Sequence, residues 1–131
     1  GLRERLKKYY ELGARFTKWR GVYNISKKYP SQIAINSNAH ALARYSALVQ
    51  ECGMVPIVEP EVLMDGEHSA EDCLTKTSEV IKKCFEDLIM HKNLIKEEGL
   101  LIIEHNKDTQ FEGDNIKIRK YGTVHFSIFS F

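Results

Sequence analysis

Residues 55–63 read VPIVEPEVL. The β-branched run makes a strand, yet it carries two carboxylates, Glu59 and Glu61, two positions apart. Side chains alternate faces along a strand, so both acids share the face of Val55 and Ile57. Charged side chains are seldom buried unless they are paired or used. Pro60 lies between them and predicts an irregular strand end, because proline cannot donate to a central ladder. An earlier run, ARFTKWRGVYNI over residues 14–25, also reads as a strand. There Phe16, Lys18 and Arg20 share a face, and Trp19 turns the other way to pack under helices.

Helical patterns surround these strands. Leu2, Leu6 and Tyr9 recur at helical spacing in residues 2–12, and Gly13 stops the helix. KKYPS, residues 27–31, breaks the first strand. Pro30 and Ser31 then open a helix with Ile35, Ala39, Leu42, Tyr45 and Val49 on one side and Gly53 at its end. After the loop DGEHS, residues 65–69, Ser69 and Asp72 form a capping box. Leu74, Thr77, Ile81, Phe85 and Leu88 make the inner stripe of a helix ending near His91. GLLII, residues 99–103, is the third apolar run. The order helix, strand, helix, strand, helix, strand implies α/β architecture with parallel strands and right-handed crossovers.

Each of the first two strands therefore puts two charges on one face, toward its C-terminal part. In α/β barrels that end and the inward face hold the active site. The chemistry offers two readings. Arginine gives a rigid fork for phosphate or carboxylate, lysine stabilises developing negative charge, and a partly buried glutamate with a raised pKa is a general acid–base. A structural ion-pair network, or an edge facing water, uses the same residues.

The chain of 131 residues suits one modest domain, and its 43% apolar content allows a core. A net charge of +1 gives no pull toward nucleic acid or membrane. Lys7-Lys8 and Lys27-Lys28 read as solvated faces. Cys52, Cys73 and Cys84 form no CxxC pair, which argues against a disulfide framework or zinc knuckle and fits a reducing cytoplasm. They read as small hydrophobes. No apolar run is long enough to span a bilayer, and GLRERLKKYY is not a signal peptide. The missing initiator Met points to a fragment. His40 reads as a packing or surface residue and His68 as loop structure near the strand end, with no metal ligand spacing.

LGARFTKWR (residues 12–20), NAHALARY (38–45) and GMVPIVEPEVLMDGEH (53–68) closely resemble class I, Schiff-base fructose-bisphosphate aldolase. The resemblance covers about residues 1–99 and includes GLRERLKKYY. It implies part of a TIM (β/α)8 barrel, about three parallel strands with covering helices over residues 1–103. The unrelated-looking tail, 104–131, would be a hairpin or unstructured. The family cleaves fructose 1,6-bisphosphate to dihydroxyacetone phosphate and glyceraldehyde 3-phosphate in glycolysis. It works as a cytoplasmic homotetramer, without metal or cofactor, through a lysine imine. Carried over by position, Lys18 contacts a substrate hydroxyl and stabilises charge at the scissile bond, and Arg20 binds substrate and phosphate. Glu59 moves protons as the imine forms and breaks, and Glu61 holds the basic pair. The family's aspartate base, phosphate loops and C-terminal tyrosine lie outside these residues.

The third strand departs from the family. Where the resemblance leads to LLKPN, with the imine-forming lysine, residues 98–106 read EGLLIIEHN. In that register Ile103 stands at the nucleophile's position, and isoleucine has no lone pair. Lys96 and Lys107 fall outside the strand centre. The tail NIKIRKYGTVHFSIFSF, residues 115–131, alternates polar and apolar residues and allows a hairpin at Gly122. Its exposed FSIFSF more readily reads as sequence never selected to fold here. The lead expectation is an incomplete, inactive aldolase. The alternative is a non-catalytic aldolase-like fragment with a binding role or none.

Overall fold

The strand around Glu59 is β2 (Val55–Val62), and it pairs in parallel with β1 (Phe16–Tyr23) from Phe16 opposite Val55 to Tyr23 opposite Val62. This is a computed structural model, and it describes residues 1–90, 94–95, 97–113 and 116–131. His91 and Lys96, named above, lie outside the described residues. The chain divides into two units, Gly1–Leu94 and Ile95–Phe131, rather than at residue 103.

In residues 1–94 three helices accompany the pair: α1 (Leu2–Glu11), α2 (Gln32–Glu51) and α3 (Ala70–Met90). α2 starts where Ser31 caps it, its side chain accepting from Ala34 N at 3.2 Å. Its stripe Ile35, Ala39, Leu42, Tyr45 and Val49 is buried as the periodicity predicts. α3 opens on the reciprocal box between Ser69 and Asp72, with Ser69 N donating to Asp72 Oδ2 and Asp72 N to Ser69 Oγ, both at 3.1 Å. The core has two parts. Tyr23 and Val62 pack with Ile35, Ala39, Leu42, Val80 and Cys84. Leu6, Tyr45, Val49 and Met54 make the other, which seats α1.

The inner stripe of α3 is shifted from the expected one. Leu74 is 68% exposed and Ile81 40%, while Val80 and Cys84 are buried and Cys73 packs beside them. The stripes are neighbours on one helix, so periodicity alone does not choose between them. The Tyr23 ring does, because it occupies the space below α3 and leaves room for small side chains. Burial pushes the Tyr23 phenol up to about 12 and the adjacent Cys84 thiol up to about 11, so both stay neutral in the core.

Pro60 does not end β2. Val55 N donates to Arg15 O and Leu63 N to Tyr23 O, each at 2.9 Å. Alternation along the ladder turns the nitrogens of Pro56 and Pro60 to the free edge, where no donor toward β1 is lost.

The third strand does not extend this sheet. β3 (Leu100–Asn106) runs antiparallel to β5 (Val124–Ser130), which also pairs with β4 (Ile116–Tyr121), in the order β3-β5-β4. Among the described residues the parallel sheet thus has two strands, not three. The free edge of β2 lacks donors at both prolines, whereas β5 matches β3 residue for residue from Leu100–Ser130 to Asn106–Val124. The tail therefore forms strands, and the β4–β5 hairpin turns at Gly122, whose φ of 61° suits glycine.

Candidate functional site

Register decides which charges meet. Lys18 is level with Ile57 and Arg20 with Glu59, so each acid lies one step diagonally ahead of a base. Lys18 Nζ stands 2.9 Å from Glu59 Oε2. Arg20 grips Glu61 with both arms of its fork, Nη2 donating to Oε1 at 2.7 Å and Nε donating to Oε2. All four side chains lie on one face, between Phe16 and Val55 at one end and Val22 at the other, opposite the helices. That face is open, with half of each basic side chain and about a third of each acidic one exposed to solvent.

The other face explains why this one is free for charges. Thr17, Trp19, Gly21 and Tyr23 point to the helices. Thr17 hydrogen-bonds the Tyr45 hydroxyl, and Trp19 meets the Tyr45 ring edge-on at 5.2 Å. At Gly21 a Cβ would stand 3.6 Å from Leu42 Cδ1, an ordinary packing distance, so α2 lies directly over the strand here. β1 is thereby held against α2 at alternate residues, and Lys18 and Arg20 are aimed away from it. Sequence reading identified the four charges but not Thr17 and Tyr45 as their support, because a hydroxyl pair 28 residues apart leaves no local signal.

The electrostatics separate the two pairs. The Arg20 hydrogen bond, then the charges of Arg20 and Lys18, hold Glu61 below the usual carboxylate range. Glu61 is a fixed anion and clamp rather than a raised-pKa acid. Lys18 and Glu59 share a single contact, which leaves each with capacity to face a ligand on the open side. His68 follows β2 in its loop, with both ring nitrogens buried and lacking a hydrogen-bond partner. It lines an opening of about 580 Å³ with Glu61, Val62, Ser69, Cys73 and Leu74. Cys52, Cys73 and Cys84 are free thiols. Among the described residues no cluster of three or more metal-binding side chains occurs, and no helix is long and apolar enough to cross a membrane.

Ile103 is not beside these residues in the sheet. It sits mid-β3 opposite Ser127, and Lys107 lies beyond the end of that strand. Among the described residues β2 pairs only with β1, so no third strand brings another lysine beside it.

Comparison with known proteins gives a consistent result. The family model of glycolytic fructose-bisphosphate aldolase class-I matches residues 1–117, past the residue-99 limit of the quoted motifs. A fructose-bisphosphate aldolase of Dictyostelium discoideum is 54% identical over 104 residues, 78% of this chain and 29% of that protein. A cytosolic fructose-bisphosphate aldolase 6 of Arabidopsis thaliana is 51% identical over 102 residues, 78% of this chain and 28% of that protein. Among solved structures, the Plasmodium falciparum aldolase in complex with TRAP and a small-molecule inhibitor is similar at a TM-score of 0.64 and 47% identity. It covers 67% of this chain and 26% of its own. The chain thus spans under a third of the length of these relatives.

Proposed function

The chain belongs to the class I fructose-bisphosphate aldolase family, and from that premise we propose that residues 1–94 are one part of the family's active site, the acid–base and substrate-holding part. The observation that carries this reading is the pair of diagonal ion pairs on one sheet face, Lys18–Glu59 at 2.9 Å beside the Arg20–Glu61 fork.

In this reading the whole protein is a cytoplasmic TIM-barrel lyase that cleaves fructose 1,6-bisphosphate to two triose phosphates, assembled as a homotetramer. Arg20, fixed by Glu61, presents its remaining N–H donors to substrate oxygens or phosphate. Lys18 places its ammonium against the hydroxyl and the charge that develops at the breaking carbon–carbon bond. Glu59, in contact with Lys18, gives and takes the proton as carbonyl and imine interconvert. The imine requires an amine that attacks the carbonyl and expels water. Ile103 cannot do that, so this chain alone binds without turnover.

The test is reduction with borohydride in the presence of dihydroxyacetone phosphate, read by intact mass. The expected outcome is an unmodified chain. A covalent adduct of the reduced triose would show that an amine here forms the imine, and would sink the claim of an inactive part.

A further inference from the structure

We propose that the face of the β3-β5-β4 sheet bearing His105 and His125 binds a divalent transition-metal ion of the zinc or copper type. The register sets His105 directly opposite His125, with Ser127 two residues on along the same face. Their ring centroids are 5.8 Å apart and the planes cross at 88°. A metal–imidazole bond of about 2.0–2.1 Å places two rings on one ion with centroids about 5–6 Å apart. The pair therefore needs ring rotation, not backbone movement, to share an ion.

His105 is already oriented as a ligand. Its Nδ1 is 2.7 Å from the Asn106 carbonyl oxygen, which can only accept, so Nδ1 carries the proton. In the neutral ring the lone pair is then on Nε2, which accepts from Ser127 Oγ at 2.8 Å. An imidazole tied through Nδ1–H to a backbone carbonyl is the arrangement that aims Nε2 at a metal. The ion would take Nε2 and one nitrogen of His125, with the Ser127 hydroxyl at its side and water elsewhere. Phe111 stands edge-on to His105 at 5.2 Å and gives the site an apolar wall.

Two imidazoles and no carboxylate select zinc, copper or nickel over calcium and magnesium. Lys120 is level with His125 on β4 and on the same face. Its ammonium opposes a dication, which weakens the site and supplies a handle for testing it.

The experiment titrates the full chain with zinc chloride at neutral pH and follows the imidazole nitrogens by NMR. His105 Nε2 and one His125 nitrogen are expected to shift together. His125→Gln should weaken zinc binding at those rings about tenfold or more. Lys120→Gln, on the exposed edge strand, should tighten it about two- to tenfold, and reads the same site if His125→Gln does not fold. Reading the rings themselves separates this site from the three thiols in residues 1–94. Unmoved resonances at saturating zinc, or unchanged affinity in a folded His125→Gln chain, would overturn the proposal. So would a fall in affinity on Lys120→Gln.

Discussion

Residues 1–94 and 95–131 solve the same problem with different interactions. The first unit pairs its strands in parallel, so the long connection between them must be a helix, and the helix must bury a face. Its interior is accordingly apolar, with Ile35, Ala39, Ala43, Val49 and Val80 all at 0% exposure. The second unit pairs its strands antiparallel, β4 to β5 through a tight turn and β3 to β5 across the sheet. Its most buried described side chain in the sheet is polar, Ser127, and its packing rests on the aromatic group of His105, Phe111 and Phe129. Among the described residues every ion pair lies in the first unit. The helices there confine polar chemistry to one open face, which is where the candidate site lies. The second unit has no such division, and apolar side chains remain exposed on both of its faces, as Ile102 and Ile118 do.

Cavity formation should break this contrast most sharply. Leu42 is buried at the centre of the first core, against Gly21 and Tyr23. Leu42→Ala should cost about 2–5 kcal/mol. Hydrogen exchange should show lost protection in residues 1–94 and unchanged protection in β3, β4 and β5. Equal loss in both units would mean that they fold as one.

A smaller effect tests the second unit. Ile103→Lys puts a lysine at the family's imine position, but β3 pairs with β5 rather than β2. The substitution should cost the β3-β5-β4 sheet about 1–3 kcal/mol by burying part of an ammonium beside Ser127. Borohydride and dihydroxyacetone phosphate should still leave the mass unmodified. An adduct at residue 103 would show that this position reaches the Lys18–Glu59 face.

Acid provides the gentlest separation. Arg3 holds Glu51 low, Arg20 holds Glu61 low, and Ser69 holds Asp72 low. A folded pKa below the unfolded one adds stability that is present above the unfolded value and is lost as pH falls through the folded value. Amide protection in residues 1–94 should therefore decline as pH drops below about 4. Protection that holds level through that range would show that these three contacts contribute nothing.

Much of the site was legible because strand period and charge survive translation into structure. Lys18 had to share a face with Arg20, and Glu59 with Glu61, once both runs were strands, and the capping box of Ser69 and Asp72 is local in sequence; the register then put both pairs on one face. Other features were not. Two neighbouring stripes on α3 satisfy the same period, and only the Tyr23 ring selects the one with Val80 and Cys84. The tail's alternation permitted a hairpin without requiring it. The apolar run of β3 suits either kind of ladder, so its periodicity does not name its partner.

The sequence by itself determined the helices, the strands β1, β2 and β3, the two like charges on one side of each of β1 and β2, and the isoleucine at position 103. These depend on local periodicity and residue identity. Tertiary structure alone decided that Lys18 meets Glu59 diagonally while Arg20 takes Glu61, and that Thr17 is tied to Tyr45. It also decided that β3 leaves the parallel sheet for β5. Such choices depend on register and on which edge still offers hydrogen-bond donors, and neither is set until distant segments come together.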